Sequence, residues 1–230
     1  MTRTFEIVKQ IVEDMDWNLP IREIVGNRLF MCKTLHLKAG SGVLDPQNNQ
    51  YLVTNVLNNE YIDVLGTTGA FQGLYVTVTE LPYFLQGKWI SANNEYLLMD
   101  SDTSSKTPLI WLVRGYEEKF NSKSNSVKME VEPVIYFLDQ ANFNEWTNED
   151  HDKEAVNPMY NLAQYFVDTV KKSGQFVDLD GWKIKDEPKF GVELHNNSKD
   201  KGNAKRILSD DLSGVGLRIP LKFLGNCKVC

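Results

Sequence analysis

The chain has 230 residues, 42% of them hydrophobic and 11% aromatic, with 24% charged and a net charge of −6. That length buries a core without a disulfide or metal staple, and the composition is too well mixed for wholesale disorder. The acidic balance argues against specific nucleic-acid binding, because a protein that wraps DNA carries excess Lys and Arg to displace counterions. Length alone leaves one domain with an insertion, or two small domains.

At the N-terminus, Phe5, Val8, Ile11, Val12 and Met15 recur at spacings of three and four, which predicts an amphipathic helix with Thr2 or Thr4 as N-cap. Glu6, Lys9, Glu13 and Asp14 interrupt any apolar core of a secretory leader. No apolar run nears the ~18 residues that cross a bilayer, so a soluble, reducing compartment and no membrane partner are expected. Pro20 and Gly26 then break the chain.

From Leu29 to Met99 the texture is that of strands: Leu29–Leu37, Tyr51–Leu57, Tyr61–Leu65 and Leu74–Leu81. Gly40-Ser41-Gly42, Asp45-Pro46, Asn58-Asn59 and the glycines from Gly66 to Gly69 punctuate them. Asn tolerates positive φ, so Asn58-Asn59 predicts a hairpin. Four short strands so close together suggest a small sheet or partial barrel.

Ser101–Thr107 reads as a polar linker, and Pro108–Val113 as a strand buried on both faces. A polar loop or hairpin tip follows at Gly115–Ser126, then strands Val127–Glu132 and Val134–Leu138, parted by Pro133. Asn157–Gly174 predicts a long helix, with Asn157 as cap, Pro158 in its first turn, and Met159, Leu162, Ala163, Phe166, Val167 and Val170 on one face. Asn196–Arg206 reads as exposed loop. In Leu212–Leu224 the residues Val215, Leu217, Ile219, Leu221 and Phe223 share a face, and Pro220 predicts a sheet edge.

Candidate chemistry is sparse. Cys227 and Cys230 have C-x-x-C spacing, and Cys32 with His36 would complete a Cys₃His zinc set; free thiols are the favoured reading, with no cofactor. The three histidines, His36, His151 and His195, accompany no G-x-S-x-G elbow, and His151 in its charge-rich segment reads as solvated. Neighbouring carboxylates (Glu149–Asp150, Asp178–Asp180, Asp210–Asp211) suit acidic loops, and no phosphate-loop or dinucleotide motif occurs. Gly214 and Gly216 read as close backbone approach. Trp89, Trp111, Trp146 and Trp182 read as core or interface aromatics ahead of base-stacking ones.

One ordered series of short patterns spans most of the chain: Tyr51–Val56, Leu81–Gly87 with Asn93–Glu95, Pro108–Leu112, Ile135–Asp139, Trp146, Asn157–Leu162 and Leu212–Leu217. It resembles structural proteins of tailed phages and prophages of Bacteroidota, relatives of tail-terminator, tail-completion or neck proteins. The resemblance implies an α+β fold in which a mixed or antiparallel sheet packs against one long helix of the C-terminal half, beside the N-terminal helix. Residues 1–28 and 100–230 would form the core domain, with 29–99 a β-rich insertion that a minimal terminator lacks. It further implies a non-enzymatic ring homo-oligomer, commonly a hexamer, at the head–tail joint of a virion assembled in the host cytoplasm, with other neck and tail proteins as partners. The alternative reading is a β-barrel binding module for single-stranded nucleic acid or glycan. A hydrolase with dispersed carboxylates ranks third, for want of a nucleophile, base and orienter at any recognisable spacing.

Overall fold

The structure, a computed structural model, describes residues 3–66, 71, 75–88, 95–96, 106–123, 126–176, 179, 181–193, 205–206 and 210–225. It is a mixed α+β fold, mostly sheet, with a six-stranded barrel, an N-terminal helix and one long helical rod.

Helix α1 (Thr4–Glu13) buries Val8, Ile11 and Val12 along the expected stripe. Its start is set by Arg3, not by a threonine: the Arg3 N–H donates to the Glu6 carboxylate at 2.8 Å. Thr4 is already helical and buried, its hydroxyl bonded to Glu118 across the chain.

Strands β1 (Asn18–Val25), β2 (Arg28–Met31), β3 (Gly42–Leu44), β4 (Gln50–Leu57), β5 (Tyr61–Val64) and β6 (Tyr75–Val78) close into a barrel of order β1-β2-β5-β4-β3-β6. The predicted hairpin joins β4 to β5, with Asn59 at φ 58°. Leu19, Leu29, Met31, Val53, Ile62, Val64 and Val76 fill the interior, so the barrel holds a packed core. The strand expected over Leu29–Leu37 ends at Met31; Leu35, at φ 49°, turns the chain, and Leu35 and Leu37 fold into the barrel core.

The barrel begins at Asn18, upstream of the expected boundary at residue 29, because Pro20 does not break β1. Pro20 pairs with Tyr75 of β6 just before a register shift between Ile21 and Glu23. Its missing N–H thus falls where β1 exchanges β6 for β2 as partner. Downstream, β7 (Tyr83–Gly87) lies outside the barrel and pairs in parallel with β8 (Leu109–Val113).

The rest of the β structure comprises β9 (Lys119–Lys123), β10 (Ser126–Val131), β11 (Val134–Gln140), β12 (Lys183–Phe190), β13 (Val192–Glu193), β14 (Lys205–Arg206), β15 (Leu212–Arg218) and β16 (Leu221–Gly225). A mixed five-stranded sheet has the order β12-β15-β11-β8-β7, a three-stranded sheet the order β16-β10-β9, and β13 pairs with β14. Strand β8 is buried on both faces, as its unbroken apolar run predicts.

The single edge strand expected over Leu212–Leu224 is instead two strands parted at Pro220, and β15 lies inside its sheet between β12 and β11. Pro133 parts β10 from β11 at the same level, where the Ile219 N–H reaches the Pro133 carbonyl at 3.4 Å. Neither proline can donate to a ladder, so both chains leave one sheet there and enter the other. The alternation survives the bend: Val215, Leu217, Ile219, Leu221 and Phe223 all enter one core.

The long rod is α2 (Asn148–His151), a π-helical turn (Asp152–Val156) and α3 (Asn157–Lys172), run together. Asn157 is not its cap. The cap is Thr147, whose N–H donates to the Asp150 carboxylate at 2.8 Å while its hydroxyl accepts the Asp150 N–H at 3.3 Å. Pro158 explains the earlier start. Inside a regular helix its ring would collide with a carbonyl one turn back, and the π turn just ahead, where the Asn157 N–H reaches the Asp152 carbonyl, widens the ladder. The predicted face of α3 packs with α1, β11 and β15 in the central core.

A smaller core of Leu85, Tyr96, Leu109, Trp111, Leu138, Phe190 and Leu212 covers part of the sheet's other face. The barrel is tied to the remainder by Lys38–Asp139 and Lys33–Asp168, each at 2.6 Å, and by the Tyr165 hydroxyl, which donates to the Asp16 carbonyl at 2.7 Å.

Candidate functional site

Among the described residues no three His, Cys, Asp or Glu side chains gather as metal ligands. Cys32 is exposed, whereas His36 is buried with its Nε2 against the Glu80 carbonyl at 2.7 Å. Cys227, Cys230, His195 and Trp89 lie outside the described residues.

His151 is not solvated, contrary to the expectation from its neighbours. It is fully buried, with Nδ1 hydrogen-bonded to the Ser213 hydroxyl at 2.8 Å and its ring between Phe143 and Trp146. The charged residues around it project outward from a helix, whose period turns one residue in three or four to the core. Burial pushes its pKa down. Ser213 is equally buried and also accepts the Lys189 N–H at 3.1 Å, so this pair holds the rod to the sheet. Trp111 packs inside, Trp146 is half-buried with its ring against His151, and Trp182 lies 4.0 Å beneath Lys171.

Two clefts remain. The smaller, of about 150 Å³, lies where the barrel meets α3 and is lined by Cys32, Asn59, Asn161, Gln164 and the Lys33–Asp168 pair. It is below the size that holds an organic cofactor. The larger, of about 350 Å³, crosses β11, β15 and β12 on the sheet face away from α3. Val134, Tyr136, Lys183, Lys185, Glu187, Gly216 and Arg218 line it.

The register builds that cleft. Lys183, Arg218 and Val134 form one cross-strand row, and Lys185, Gly216 and Tyr136 the next. A Cβ on Gly216 would come within 2.9 Å of the Tyr136 ring, so the glycine lets the ring lie down on β15 as the cleft floor. Burial, reinforced by the nearby Glu187 charge, raises the Tyr136 pKa. Lys185 is bound to Glu187 at 2.8 Å. Lys183 and Arg218, both exposed, are direct cross-strand partners of like charge.

No strand was expected over residues 183–190, so sequence reasoning missed Lys183 and Lys185, whereas Arg218 lay on the expected strand Leu212–Leu224. The signal available was Lys183-x-Lys185-x-Glu187, alternation that puts all three on one strand face.

The barrel's outer wall carries two further features. Phe30 and Tyr61 meet edge to face at 5.7 Å, with the Arg28 guanidinium 3.7 Å from the Tyr61 ring and held by Asp63 at 2.7 Å. Leu65 and Leu52, 65% and 47% exposed, lie side by side, and Val25, 55% exposed, ends β1 near them. The Leu65 N–H bonds to the Leu52 carbonyl, and the preceding Val64 N–H to Asn27, beside the turn that follows Val25.

Searches against protein-family models, curated proteins and solved structures found nothing similar to this chain.

Proposed function

We propose that this chain is a non-catalytic structural subunit of a tailed phage, assembling with copies of itself into a ring of the tail-terminator or head–tail joining kind. The observation that carries the reading is the cross-strand apolar row Leu65–Leu52, with Val25 also exposed beside the next turn. Single exposed leucines are ordinary, but a row across neighbouring strands of a barrel with a full interior supports a protein-binding face. Burying each leucine side chain would contribute about 1.5–3 kcal/mol. The terminal strands β7, β12 and β9 of the two larger sheets add edges that a neighbour can extend.

The resemblance to Bacteroidota phage proteins supports the particle and a hexameric ring, assembled in the host cytoplasm and resident in the virion. The net charge of −6 suits a collar through which DNA slides without adhering. Light scattering with negative-stain imaging tests the reading, with rings expected either alone or on the tail tube. A monomer under all conditions, tube protein included, overturns it. Leu52→Asp with Leu65→Asp should abolish assembly while leaving the circular dichroism spectrum intact.

A second reading draws on the Phe30–Tyr61–Arg28 platform, an aromatic and cationic surface of the kind that stacks bases or sugars. It expects a salt-sensitive gel shift with oligo(dT) that is lost in Tyr61→Ala.

A further inference from the structure

The larger cleft is a cationic spot on an acidic protein. Lys183 and Arg218 face each other across β12 and β15, an arrangement that opposes folding because like charges directly opposite repel. A carboxylate placed between them would turn that repulsion into attraction, and the Arg218 guanidinium could grip it with two parallel hydrogen bonds. Both side chains are exposed, and among the described residues neither has an ion-pair partner within 4 Å.

The complementary feature lies at the other end of the same strand. Val134 and Tyr136, at the start of β11, line the cleft, whereas beyond its end the chain enters Glu145-Trp-Thr-Asn-Glu-Asp-His-Asp-Lys-Glu154. Within this segment Asp150 is held by Thr147, Glu145 accepts from Asn142, and Lys153 sits 3.5 Å from Glu154. That leaves Glu149 and Asp152, both exposed, on the first turns of the rod. His151 between them is buried, which pushes its pKa down and disfavours the charged form that would offset theirs. At ~3.3 Å per residue the length of β11 separates the two features by about 20 Å.

We infer that the Lys183–Arg218 cleft receives the acidic segment around Glu149 and Asp152 of a second copy of this chain. Each protomer then offers its acidic end to the cleft of the next. Such a contact joins two different patches, and repetition of a heterologous contact generates a ring when the rotation closes. The inference rests on the ring reading and supplies its polarity. A nucleic-acid strand is the poorer occupant. It needs a groove that tracks many phosphates, whereas Glu187 lies within this cleft and ties up Lys185.

The test is charge exchange in the full chain, read by light scattering at low and high salt. Lys183→Glu with Arg218→Glu should lower the oligomer's apparent affinity at least tenfold, as should Glu149→Lys with Asp152→Lys. The chain carrying all four reversals should recover assembly, and high salt should weaken both wild type and the fourfold variant. If the acidic pair of reversals at the cleft disturbs folding, Lys183→Gln with Arg218→Gln should show the same loss more mildly. Rings that persist through every reversal overturn the inference and leave the ring reading standing, as does failure of the fourfold variant to recover. A wild-type monomer, alone and with tail-tube protein, overturns both. Oligo(dT) binding that disappears in Lys183→Glu with Arg218→Glu, while assembly is unchanged, assigns the cleft to nucleic acid and overturns it too.

Discussion

Gly214 and Gly216 stand two apart on β15 and face the same way, yet a methyl group at each would meet different matter. At Gly214 it would lie 2.0 Å from the Phe137 carbonyl oxygen, a backbone atom of a paired strand that cannot yield without breaking the ladder. At Gly216 it would meet the Tyr136 ring at 2.9 Å, a side chain that can swing away. Gly214→Ala should therefore cost about 3 kcal/mol or more in urea unfolding, and Gly216→Ala clearly less. His36 makes a pH prediction at the same scale. Burial holds its pKa down to about 4 from an ordinary 6.5, and among the described residues its Nδ1 has no hydrogen-bond partner. Between those values the unfolded chain takes up a proton that the folded chain refuses. Stability should fall as pH drops through that window, by on the order of 3 kcal/mol in full. His36→Gln should flatten that part of the stability profile.

Prolines and caps decide where elements begin and end. The alternation across Leu212–Leu224 was legible because a buried face repeats every two residues, and it persists through the bend at Pro220. That the bend would move the chain from one sheet to another was not legible, since it depends on Pro133 lying opposite. Similarly, the apolar face of α3 was readable, but the rod begins nine residues before Asn157, at Asn148. The capping box of Thr147 and Asp150 was present in the sequence, masked by the rule that Pro158 should open a helix. Thr147→Ala should lower stability by about 1 kcal/mol in thermal unfolding, whereas Asn157→Ala should be near neutral.

In the molecule as a whole, among the described residues the barrel is tied to the sheet and to α3 by polar contacts of which Lys38–Asp139 is the most enclosed. Asp139 lies at the end of β11 with its side chain only 6% exposed, so removing its partner leaves a charge that water cannot reach. Lys38→Ala should destabilise by about 3 kcal/mol, and Lys38→Met with Asp139→Leu by less. The measurement is a denaturation curve followed at both near- and far-ultraviolet wavelengths, and divergence of the two would show that the variant no longer unfolds as one unit. The apolar row on the barrel and the cations on the sheet lie on different bodies, and a ring interface that used both would hold the two bodies together.

Local spacing encodes the periodic features: the stripe of α1, the β-rich run up to Leu81, the Asn58-Asn59 hairpin, the doubly buried β8 and the apolar face of α3. Each arises from local spacing against one buried side, which neighbouring residues are sufficient to encode. Only the tertiary structure decided that the early strands close into a barrel starting at Asn18, that β15 is internal, and that His151 is buried beneath charged neighbours. It alone brought Lys183, Arg218 and Tyr136 into one cleft. Those facts depend on pairings between segments tens of residues apart, and local spacing carries no information about which distant strand will lie alongside.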